Sequence, residues 1–194
     1  MKKNIPNILA FSAFVLLCIF AFSTPKEEKI VQGNSDKMVE QNENNQAKSY
    51  PVKINIKSIG INAPIESVGI LNGAMAVPTF AHNVGWYSLG TKPGDVGSAV
   101  LAGHVNWKNG EDAVFTNLED VKIGDVINIT DNYGKVVNFA VTDIQSFPIY
   151  KDTTEIFSNS DGIVRLNLIT CNGTWNDWLD THNSRLVVFT EKIY

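Results

Sequence analysis

Beyond Thr24 the chain holds one cysteine, Cys171, and the whole sequence has only one other, Cys18, inside an apolar N-terminal run. One thiol cannot close an internal disulfide, so a disulfide-stapled scaffold is excluded and Cys171 calls for a chemical reason. Arginine is as scarce, at Arg165 and Arg185 alone, and histidine occurs three times, at His82, His104 and His182. From Tyr50 to Tyr194 ten Lys and Arg stand against fifteen Asp and Glu with no basic stripe, which excludes a nucleic-acid surface. No internal repeat of fixed length is visible, and the one long apolar run is at the N-terminus.

That run extends from Ile8 to Phe22 behind Lys2 and Lys3. As a helix, Ile5 to Thr24 would span ~30 Å, about one hydrocarbon core. The basic residues ahead of it place the start of the chain in the cytoplasm and everything after Thr24 outside, on the extracellular side of the cell membrane. Two readings stand: an uncleaved transmembrane anchor over residues 1–24, or a signal segment removed at the small-x-small pattern Ala21-Phe22-Ser23. Leu17 before Cys18 is not small, so a lipoprotein site is not expected. Residues 25–49 turn to Asn, Gln, Lys and Glu, a composition that buries too little apolar surface to offset ordering entropy. They read as a polar flexible linker, leaving 50–194 as one domain of ordinary size.

In that domain the hydrophobic period is two. Val52–Ile56, Val126–Thr130 and Val136–Val141 alternate, while Val164–Thr170 and Leu186–Thr190 are apolar enough for strands buried on both faces. Turn signals at Leu71-Asn72-Gly73, Lys92-Pro93-Gly94-Asp95, Ile123-Gly124-Asp125 and Asn132-Tyr133-Gly134 leave room only for short helices, expected around Val114–Leu118 and Thr153–Phe157. The fold class is all-β, and of sandwich and barrel the barrel is expected.

A cysteine near neutral pH is mostly thiol and needs a neighbouring base or cation to act as a nucleophile. His104 follows the small, apolar strand Ser98–Ala102 and Gly103, so its imidazole emerges at a strand end where close backbone approach is permitted. His82 and His182 read as exposed loop histidines. Acyl transfer also needs a group to hold the developing oxyanion. Arg185 opens the strand-like run Leu186–Phe189, whose antiparallel neighbour could be the strand ending in Cys171, with 172–184 as the connecting loop. Arg165 alternates with apolar positions and is expected to pair with a surface carboxylate.

Leu168-Ile169-Thr170-Cys171 resembles the active-cysteine signature of sortases, the membrane-anchored cysteine transpeptidases of Gram-positive bacteria. Ala102-Gly103-His104 is similar to their histidine motif and Arg185-Leu186-Val187-Val188 to their arginine strand, in the family's order. Ile59–Ile65, Val84-Gly85-Trp86-Tyr87 and Gly97–His104 extend the likeness over nearly all of 50–194, towards classes D, E and F. Gly85-Trp86-Tyr87 and Cys171-Asn172-Gly173 look most like class F.

The resemblance implies a closed eight-stranded sortase β-barrel acting on secreted proteins that carry a sorting signal of the Leu-Pro-x-Thr-Gly type. Cys171 would attack the Thr–Gly bond, form a thioacyl-enzyme and pass the acyl group to an amine acceptor such as a peptidoglycan precursor. His104 would be acid and base, Arg185 would steady the oxyanion or substrate, and Thr170 would assist through its hydroxyl or backbone. No cofactor is implied. Since Gly90–Gly103 offers only Asp95, no calcium dependence is expected there, and Glu111, Asp112, Glu119 and Asp120 read as a solvated face. Thiolate and imidazolium must coexist in the reactive enzyme, so a bell-shaped pH profile is expected. The alternative is a non-catalytic tethered β-barrel binding peptide or glycan, with Cys171 sealed in its core.

Overall fold

The computed structural model describes residues 48–194, so the anchor or signal segment and nearly all of the linker lie outside the described residues. Strand β1 (Pro51–Ile56) buries Ile54 and Ile56 completely. It turns through a 3-10 segment, Lys57–Ile59, and Gly60 at φ 71° into β2 (Ile61–Val68). A small hairpin follows, β3 (Ile70–Leu71) and β4 (Ala74–Met75). Asn72 and Gly73 both have positive φ there, as a two-residue turn matched to strand twist requires. Then come β5 (Val84–Tyr87), β6 (Gly97–Ala102), β7 (Val126–Asp131), β8 (Val136–Pro148), α1 (Thr154–Phe157), β9 (Val164–Asn176) and β10 (Thr181–Ile193).

Eight of these strands close a barrel in the order β1-β2-β5-β6-β9-β10-β8-β7, with β7 pairing back onto β1. The β2–β5 and β6–β9 pairs are parallel and the rest antiparallel, so β9 lies between β6 and β10. Closure leaves no unpaired edge in the barrel. The interior is filled by the inward positions of each strand, among them Ile127, Phe139, Leu166, Leu168 and Val188, together with Phe115 and Leu118 from the β6–β7 connection. A second, smaller apolar cluster of Val100, Phe147, Ile156 and Val187 lies apart from it, where α1 joins the sheet.

Two expectations need correction. No α-helix covers Val114–Leu118, where a 3-10 turn at Leu118–Asp120 follows a run of turns. The Val114 and Phe115 N–H groups donate to the Ala81 and His104 carbonyls, and the Leu118 N–H, which an α-helix would bond to Val114 O, donates instead to Phe115 O at 3.1 Å in an i to i−3 turn. Residues 172–184 are likewise no loop. β9 and β10 run on as a hairpin, pairing Trp175 with His182 and Asn176 with Thr181, and only residues 177–180 connect them. His182 is accordingly a half-buried strand residue, whereas His82 is exposed in a turn.

Candidate active site

Side chains alternate across a strand, so Leu166, Leu168 and Thr170 point into the barrel and Arg165, Asn167, Ile169 and Cys171 point to its outer face. Cys171 is partly exposed, not sealed in the core as the binding-module alternative requires. On one side of it, β10 sets Arg185 directly opposite in the antiparallel register. Directly opposed residues of an antiparallel pair project from the same face.

On the other side, the parallel register of β6 and β9 ends with Ala102 beside Ile169. The Gly103 N–H then donates to Ile169 O at 3.0 Å, and the Thr170 hydroxyl donates to Gly103 O at 2.8 Å. Two residues beyond the Ala102–Ile169 pair, at the same end of both strands, stand His104 and Cys171. Gly103 is required by contact, because a Cβ there would sit 2.5 Å from the Phe115 ring and 2.7 Å from Val114 Cγ1. The three residues singled out in the sequence thus stand at one end of the barrel, Cys171 and Arg185 on adjacent strands and His104 just past the end of β6.

His104 is oriented from two directions. Its Nε2 lies 3.0 Å from Pro78 O, and since a carbonyl only accepts, Nε2 carries the proton and Nδ1 is left to exchange one. Its ring meets Trp107 edge to face at 4.9 Å. The Arg185 guanidinium turns back along its own strand: Nη1 donates to the His182 and Ser184 carbonyls at 3.0 and 2.9 Å, and Nη2 donates to Thr181 Oγ1 at 3.0 Å. Those bonds hold the planar fork in place without neutralising its charge. Thr170 is 4% exposed, and its hydroxyl ties β9 to the Gly103 carbonyl.

Arg165 meets its expected partners, with Asp161 at 2.7 Å and Glu191 at 3.2 Å. The Ile163 N–H, then the Arg165 guanidinium, hold the Asp161 carboxyl below its usual range. Glu111, Asp112, Glu119 and Asp120 are all exposed, as a solvated face should be.

Beside Arg185 opens a largely apolar groove whose walls include Met75, Tyr87, Ile156, Phe157 and Ile169. Its residues come from the β3–β4 hairpin, from β5, from β9 and from the segment between β8 and β9. The hairpin wall had no signal in the chain beyond the turn at Leu71-Asn72-Gly73. The carbonyl of Pro78 and the ring of Trp107 were missed as well, since neither residue type signals such a role from its neighbours in the chain.

An arginine and a thiol paired on adjacent strands, a histidine just past the end of a third, and a largely apolar groove beside the arginine are the parts from which a cysteine enzyme is built. A profile described as "Sortase domain" matches residues 54–193, and the chain belongs to the sortase family. It is a cysteine transpeptidase, of the kind that anchors proteins to the cell wall. Sortase C-1 from Actinomyces oris is 26% identical with TM-score 0.59, covering 74% of this chain and 75% of that one. A lid mutant of sortase A from Corynebacterium diphtheriae is 25% identical with TM-score 0.59, covering 77% and 73%. A sortase D5 transpeptidase from Clostridium perfringens shares the fold at 22% identity and TM-score 0.57, over 75% and 79%. No curated protein sequence matches the chain significantly.

Proposed function

We propose that the chain is a membrane-anchored transpeptidase that cleaves a sorting signal of the Leu-Pro-x-Thr-Gly type between Thr and Gly and joins the new acyl end to an amine. Cys171 is the nucleophile. Its thiolate attacks the threonine carbonyl carbon, the oxyanion forms, and the C–N bond breaks as His104 gives its proton to the departing glycine amine. The thioester is then attacked by the acceptor amine, His104 takes the proton back, and the thiolate leaves. Arg185 meets the oxyanion or fixes the peptide in the groove, a role suited to a positive charge held in place before the reaction begins.

The observation that carries this reading is the cross-strand pairing of Arg185 with Cys171 on the outer face of the barrel. A groove with apolar walls suits the leucine and proline of such a signal. The acceptor is an amine of a peptidoglycan precursor. Gly85-Trp86-Tyr87 and Cys171-Asn172-Gly173 support class F within the family, and the apolar N-terminal run supports a single-pass anchor with the domain outside the cell. Incubating the domain with a panel of sorting-signal peptides and candidate amines, and weighing the products, tests the whole scheme. Amide products ending in Thr joined to the added amine are expected; intact peptides throughout would sink it.

A further inference from the structure

We propose that Asn167 is a positioning residue for substrate binding, holding the segment between β8 and β9 in place as a wall of the groove. The proposal deepens the sorting-signal reading and rests on it.

Among residues 149–163, Ile156 alone is buried, at 2% exposure. Its side chain packs on Val100, Phe147 and Val187. Its carbonyl accepts from Asn167 Nδ2 at 2.7 Å. The segment is therefore fastened at its middle through one residue, by an apolar contact and a buried hydrogen bond together. Helix α1 is only four residues long, so its carbonyls have no intrahelical partners, and a side-chain donor at Ile156 O meets a need the helix cannot meet itself. Asn167 is completely buried, between the equally buried Leu166 and Leu168 of β9. An amide there costs stability unless it bonds: Nδ2 has the Ile156 carbonyl, while the buried Oδ1 has no partner among the described residues, so the bond to the segment is what this amide supplies.

The wall it holds is the substrate side. Ile156 and Phe157 line the groove with Ile169 and Arg185, and Phe157 meets Tyr87 edge to face at 5.7 Å across it. Loss of the bond would leave the segment tied by its ends, by side-chain contacts of Lys151 with Phe147, Phe157 with Tyr87, Asn159 with Ser98 and Asp161 with Arg165, and by the packing of Ile156, and would let the groove widen. Asn167 lies four residues from Cys171 on the same strand face, ~13 Å away at ~3.3 Å per residue. It cannot touch the reacting atoms, so its effect falls on binding and not on the chemical step.

The test uses Asn167→Leu, which keeps the branched shape without the donor but is larger, and Asn167→Ala, smaller and also without the donor, should the leucine variant not fold. Cleavage of a Leu-Pro-x-Thr-Gly peptide is followed with deuterium exchange of the free protein. The expected result is a KM raised roughly tenfold, the change one lost hydrogen bond produces, with kcat within about twofold. Exchange should quicken in 149–163 and stay as it was elsewhere, with Cys171 labelled by a methanethiosulfonate at the parent rate. Unchanged exchange in a folded variant, or a fall in kcat at constant KM, overturns the proposal. If the parent cleaves no sorting-signal peptide, the functional reading fails, while the exchange measurement still decides whether Asn167 holds the segment.

Discussion

Arg185 stands across from Cys171 in the β9–β10 register, and its guanidinium is braced by three acceptors of its own strand: the carbonyls of His182 and Ser184 and the hydroxyl of Thr181. A charge fixed in this way needs no reorganisation when an oxyanion forms beside it, which is what makes such a group effective in a transition state. Arg185→Ala should lower kcat/KM by ~10²–10³-fold. Arg185→Lys should recover little of it, because an ammonium cannot reproduce the braced planar fork. Steady-state kinetics of both variants with one peptide checks this.

Cys171→Ala should abolish the covalent thioacyl adduct seen by mass spectrometry and reduce turnover by on the order of 10⁴-fold or more. The side chain is partly exposed on the outer face, so the thermal midpoint should hardly move. Residual peptide cleavage at the parent rate would remove Cys171 from the chemistry.

For His104, substitution by Ala should cost ~10²–10⁴-fold in turnover, the usual worth of a positioned acid and base. Trp107→Ala leaves the imidazole in place but removes the ring that braces it at 4.9 Å. It should give a smaller loss in kcat, read by steady-state kinetics beside His104→Ala.

Gly103→Ala places a methyl group against Phe115 and Val114, and overpacking of this kind costs ~1–3 kcal/mol. Because the same residue leads directly into His104, activity should fall further than stability accounts for. Thr170→Val leaves the Gly103 carbonyl without its hydroxyl donor and should destabilise by ~1–3 kcal/mol. Denaturant unfolding beside kcat measurements separates the two effects.

Acid should loosen the segment before β9. The carboxyl of Asp161 is held below the ordinary value of 3.8 by the Ile163 N–H and the Arg165 guanidinium. A group whose folded pKa is depressed adds stability that is complete above the unfolded value and disappears as pH falls through the folded one. The parent should therefore lose thermal stability below about pH 4 more steeply than Asp161→Asn, which gives up that contribution at every pH. Melting curves from pH 6 down to pH 2.5 compare them. Parallel curves would count against the contribution.

Much of the barrel was legible in the chain because its strands carry their period on their face: Ile54 and Ile56, and Ile127 and Ile129, alternate as a half-buried strand must, while Leu166 to Leu168 is buried on both faces. The identities of Cys171, His104 and Arg185 were legible too, since a lone thiol, a histidine after a small-residue strand and a scarce arginine are local signals. Long-range backbone competition was not. It holds Val114 and Phe115 to the Ala81 and His104 carbonyls where i to i−3 turns replace the expected helix, and cross-strand pairing carried β9 and β10 well past the apolar runs that marked them.

By itself, then, the sequence determined the strand periods, the residue types able to do acyl chemistry and their order along the chain. Only the tertiary structure decided that β6, β9 and β10 lie side by side, and that Pro78, Trp107 and Asn167 brace what those strands present. Neighbourhood of this kind comes from barrel closure, which pairs segments dozens of residues apart through backbone hydrogen bonds that any sequence could make. The side chains choose the face; closure chooses the neighbours.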